Sequence, residues 1–110
     1  MYNVIVWKTN GDENFFAFEN KPEWKQIYPL INCDMIEIHK GYNPSLSNRS
    51  FEMLCDEESK MKEPFYINKR ATIAWYEWQK RIGARSLPDD FIAGDVAIIQ
   101  NVGELKEKAA

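Results

Sequence analysis

Three groups of residues in this chain have types and spacings that could do chemistry. The first is Asn68-Lys69-Arg70. Asn is a favoured helix N-cap, so free backbone N–H groups, the positive end of a helix dipole and two adjacent cations would converge there on a phosphate or carboxylate. No glycine-rich loop precedes the triplet, which excludes a P-loop type of nucleotide site. The structural reading of the same residues is a cap followed by solvated cations. The second group is His39, the sole histidine, with Glu37 two residues before it on one strand face. Such a pair could act as a base or a pH-sensitive contact, but no Ser or Cys stands at motif spacing to make a nucleophile with it. A surface or interface role fits it better. The third group is the carboxylates Asp56, Glu57 and Glu58 and the pair Asp89-Asp90. They offer oxygen ligands but lack the spacing of a calcium loop, and they read as solvated turn charges.

Cys33 and Cys55 are too few and too far apart for a metal framework, and both fall in or beside apolar strand patterns. Reduced, buried core thiols are the expectation, with a disulfide between neighbouring strands as the alternative. These residues predict no catalytic group, no metal and no cofactor.

Four Trp in 110 residues exceed what a small core readily buries in full, because each carries a large area and a polar N–H. Some of the aromatic surface is therefore expected at an interface, formed by Trp75, Tyr76 and Trp78 with Tyr42 and His39. That interface would meet an identical subunit or a target protein.

Elements must position these groups. The clearest is a helix over 68–82, with Asn68 as its cap, Gly83 as its stop and Lys80 and Arg81 in its last turn. Ala71, Ala74, Trp75, Trp78 and Ile82 make one apolar stripe along it, which needs a sheet to cover. Val4-Ile5-Val6-Trp7 is a strand run apolar on both faces, suited to cover on one side or both. Asn10-Gly11 then turns the chain into Phe15-Phe16-Ala17-Phe18, giving a hairpin. A short helix begins near Pro22-Glu23-Trp24 and is ended or kinked by Pro29. Strands follow at 34–40 and 51–56 on alternating patterns, separated by a polar loop with Pro44, Ser45, Ser47 and Asn48. The last strand is expected over 91–99, with Gly94 as a bulge or close-packing point. Residues 104–110 read as a frayed tail.

The order β-β-α-β-β-α-β predicts an α+β fold: one small domain over 1–103, with a mostly antiparallel sheet of about five strands and two helices packed on one face. The chain has 14 Lys and Arg against 17 Asp and Glu, a net charge of −3. That balance disfavours generic nucleic-acid binding through Lys69, Arg70, Lys80, Arg81 and Arg85. The N-terminus lacks a signal-peptide pattern and no segment has the apolar length of a membrane span, so a cytoplasmic location is expected.

Four segments carry a family resemblance: Asp34-Met35-Ile36-Glu37-Ile38, Phe51 to Lys60, Ile67-Asn68-Lys69-Arg70-Ala71-Thr72, and Phe91 to Ile99. Their order resembles a small domain of unknown function found in phages, plasmids and other mobile elements. That family has a helix, an I-E-x-V strand, a strand running into D-E-x-G-K, an N-x-x-A-T segment and a closing I-x-G-x-x-x-I strand. The resemblance spans roughly residues 22 to 101. Ser59 stands where a turn Gly is usual, and the stretch from Trp75 to Arg85 is longer and more aromatic than the compact form. The resemblance implies a mobile-element context and a fold, and no reaction. The function expected is a non-enzymatic accessory protein that binds a host defence or regulatory protein, in the host cytoplasm if phage-encoded. The alternative is a binder of an anionic small molecule, such as a nucleotide, at Asn68, Lys69 and Arg70.

Overall fold

The computed structural model of the protein describes residues 1–43, 50–84 and 89–101. The expected polar loop over 44–49, Arg85 and the tail over 104–110 lie outside the described residues. In chain order the elements are β1 (Tyr2–Trp7), β2 (Glu13–Phe18), α1 (Trp24–Ile27) running into a 3₁₀ turn (Tyr28–Leu30), β3 (Ile36–Tyr42), β4 (Ser50–Asp56), α2 (Lys69–Ile82) and β5 (Val96–Asn101). The strands form one antiparallel sheet in the order β2-β1-β5-β4-β3. The expected α+β class, strand number and element order are therefore present.

Local chemistry explains each boundary. Gly11, at φ +94°, closes the β1–β2 turn, where the Gly11 N–H donates to the Lys8 carbonyl at 3.0 Å. In α1 the Glu23 and Gln26 side chains cap each other's backbone, and Pro29 converts the next turn to 3₁₀ geometry. The Asn68 side chain caps α2, and Gly83 ends it in the left-handed region, φ +72°, with its N–H returned to the Gln79 and Lys80 carbonyls.

The central strands are apolar at consecutive positions, and this decides the layering. Ile5, Trp7, Phe51, Met53, Cys55, Val96 and Ile98 face α2 and pack on Ala71, Ala74 and Trp75. Val4, Val6, Leu54 and Ala97 face the other way and pack on Ile27, Ile31 and Cys33 around α1. The two helices thus lie on opposite faces of the sheet, where the sequence pattern placed them on one. A run such as Val4-Ile5-Val6-Trp7 buries both its faces only when both are covered.

Further boundaries differ from expectation, among them β3, which runs over Ile36–Tyr42 where a strand over 34–40 is expected. The last strand begins at Val96 instead of Phe91. Gly94, at φ +81°, breaks the extended run, and Ala93 pairs separately with Ile67 ahead of α2. On α2 the packed face ends at the buried Gln79, while Ile82, on the predicted stripe, is 55% exposed.

Candidate functional site

Asn68 faces inward. It is fully buried: its Oδ1 accepts the Ala71 N–H at 3.1 Å, while its Nδ2 donates to the carbonyls of Trp7 at 2.8 Å and Gly94 at 3.0 Å. Its own N–H donates to the Ile92 carbonyl at 2.8 Å. Arg70 is likewise engaged, pairing with Glu13 at 2.6 Å and lying 4.9 Å from the centre of the Trp7 ring. Of the three residues expected to hold an anion, Lys69 alone is exposed with no ion pair among the described residues. The helix start therefore joins β1, the Gly94 turn and α2, and its amide is not presented to a ligand.

His39 and Glu37 do pair, with Nε2 to Oε1 at 2.9 Å, and the imidazole meets Trp75 edge-on at 5.2 Å. They line a small cleft of about 90 Å³ beside Cys55, Lys60, Asp90 and Phe91. Cys55 would be the nearest nucleophile. It is 2% exposed, and burial, with the Glu37 carboxylate second, pushes its thiol up to about 12. A thiol held protonated in this way does not attack, so the cleft joins a possible base to no usable nucleophile. Asp90 is held below the usual carboxylate range, chiefly by Lys60 at 2.7 Å, and Lys60 also lies over the Phe91 ring. Asp56 is buried and paired with Lys62 at 2.6 Å, which raises the lysine's pKa. Its other oxygen accepts the Glu58 N–H at 3.0 Å. Asp56 is thus not the solvated charge its position predicts, whereas Glu57 and Asp89 are exposed and Glu58 and Asp90 half-buried. Among the described residues no group of three or more His, Cys, Asp or Glu side chains is placed to hold a metal ion. Cys33 and Cys55 are free and buried, in different cores.

Four of the five aromatic residues expected at an interface, Trp75, Tyr76, Tyr42 and His39, have partners within the fold. Trp75 and Tyr76 stack at 5.7 Å, the Tyr76 hydroxyl donates to the Asp90 carbonyl, and Arg81 reaches the Tyr42 hydroxyl at 2.5 Å with its guanidinium over that ring. Trp75, Tyr76, Trp78, Tyr42 and His39 are all half-buried. Trp75, Tyr76, Tyr42 and His39 fasten α2 to β3 and to the segment before β5.

An open groove with apolar members lies on the opposite face. α1 is a single turn, too short to cover the sheet beneath it, and leaves a groove of about 470 Å³. Its floor crosses β1, β5, β4 and β3 through Tyr2, Ile99, Leu54 and Ile38, with Trp24 as a wall and Lys21, Glu52 and Asn101 among its polar members. Trp24 is 46% and Ile38 44% exposed. The sequence carries one signal for this surface: a one-turn helix has little length with which to bury a Trp at its first position.

No helix among the described residues is long and apolar enough to cross a membrane. No protein-family model, curated protein or solved structure matches this chain.

Proposed function

We propose that the protein acts by binding another protein, without chemistry of its own, as a small accessory protein of a phage or other mobile element, and that its target is a host defence or regulatory factor. The observation that carries this reading is the groove under α1. It combines an exposed Trp and aliphatic side chains with a polar margin, the composition by which protein surfaces bind apolar anchors. The alternative, capture of an anionic small molecule at the α2 N-terminus, has no comparable support, because Asn68 and Arg70 are bound internally.

A photoreactive amino acid at Ile38, in protein expressed in a bacterial host, tests the reading. A discrete adduct with one host protein is expected from position 38, absent from position 73 on the outer face of α2. Trp24→Ala should weaken binding of that purified protein by at least about tenfold, the effect of losing one aromatic anchor. Equal labelling from both positions, or turnover of any substrate in a panel of nucleotides and esters, would overturn it.

A further inference from the structure

The two edges of the sheet are built differently. β3 carries Glu37, His39 and Lys40, with His39 bound to Glu37 and Lys40 to Glu52 at 3.6 Å, and α2 packs beside it. Charges of this kind guard a sheet edge against pairing with another chain. Among the described residues β2 has β1 on one side only; it runs six residues in unbroken register and contains neither Lys nor Pro. Its one charge, Glu13, is already neutralised by Arg70 and accepts the Trp7 indole N–H at 3.0 Å. At its centre Phe15 is 62% exposed.

The direction of the backbone groups follows from the turn. The Lys8 N–H donates to the Asp12 carbonyl at 2.9 Å, in line with the register that pairs Trp7 with Glu13 and Val6 with Asn14. Antiparallel alternation then gives the backbone groups of Asn14, Phe16 and Phe18 to β1, and turns those of Glu13, Phe15 and Ala17 outward.

We infer that β2 is the docking edge for a second copy of this chain, pairing antiparallel with the partner's β2 about a two-fold axis at Phe15 to give one continuous ten-stranded sheet. The edge is complementary to itself in this register. Phe15 faces the partner copy of the same residue, Glu13 faces Ala17 and Asn14 faces Phe16, so no like charges oppose. Shifting the axis to Phe16 would set Glu13 against Glu19, which disfavours that register. This surface is separate from the groove under α1.

Sedimentation equilibrium from micromolar to millimolar concentration is expected to show a dimer for the parent protein. Phe15→Lys, which sets two lysines across the axis, should weaken self-association by at least about tenfold with an unchanged far-UV circular dichroism spectrum. Ala17→Pro provides a second variant, because it removes an outward N–H that β1 does not use. Mixed Asn14→Cys and Phe16→Cys chains should join through a disulfide on oxidation, since these positions face each other only in the stated register. A parent protein monomeric throughout, dimers undiminished in both edge variants, or no disulfide from the mixed chains would overturn the inference. Adduct formation at Ile38 by the monomeric Phe15→Lys protein would leave the binding reading intact, so the two ideas fail separately.

Discussion

Asn68 shows how a residue that looks suited to ligand binding is instead used by the fold. Its role as a cap is legible because capping is local: Asn, then three positions on, an N–H to accept. The inward turn of its amide is not legible, because the two carbonyls it serves lie 61 and 26 residues away in sequence. His39 and Glu37 are close to the opposite case, since period-two spacing alone puts them side by side. Asn68→Ala would remove the cap and the donors to the Trp7 and Gly94 carbonyls, the first of these contacts being buried. A loss of about 3 kcal/mol is expected, the sum of a cap and at least one unsatisfied buried acceptor. Urea unfolding should show it as a lowered midpoint, whereas the exposed Lys69→Ala change should stay within about 0.5 kcal/mol. Equal effects at the two positions would contradict the inward role.

At the scale of elements, α2 was the most legible part of the chain, with cap, stop and basic last turn all where the pattern put them. What periodicity could not give is depth. Ala71 and Ala74 are 0% and 4% exposed, so the helix backbone comes close to the sheet there, while the larger Trp75 and Trp78 sit half out. Size explains this arrangement: small side chains permit close approach, and the Trp75 indole lies to the side, against His39 and Tyr76. Ala71→Leu would therefore force the helix off Ile5, Trp7 and Val96 or their rotamers out of place. It should cost about 1–3 kcal/mol, the usual effect of overpacking. Ile73→Leu, at a position 62% exposed, should be neutral within about 0.5 kcal/mol in the same denaturation experiment. α1 presents the reverse relation. Its brevity was legible from Pro29, but the face it would cover was not, because apolar residues on both sides of a strand do not say which helix takes which side.

For the whole molecule, the consequence of a sheet covered on both faces is that each layer encloses one thiol: Cys33 in the α1 layer and Cys55 in the α2 layer. Burial, with Asp56 second, pushes Cys33 up to about 11, as burial and Glu37 push Cys55 up to about 12, from an ordinary value of 9.0. A folded pKa above the unfolded one means that the folded state holds its proton after the unfolded chain has lost it. The stabilising effect of each neutral thiol is complete below pH 9 and is lost as pH rises, until the folded group itself ionises near 11 or 12. Lys62, raised by its hydrogen bond to Asp56, acts in the same direction above its ordinary 10.5. Unfolding free energy should thus fall over this alkaline window by on the order of 1 kcal/mol per pH unit for each thiol. Cys33→Ala and Cys55→Ala should each lower stability at neutral pH yet flatten the alkaline slope, with the Cys55 change extending to higher pH. Denaturation midpoints measured across the window separate the two contributions, because a cavity shifts the whole curve while a lost titration changes its slope. Parallel curves for parent and variants would mean that neither layer keeps its thiol dry, and would count against two closed cores on opposite faces of one sheet.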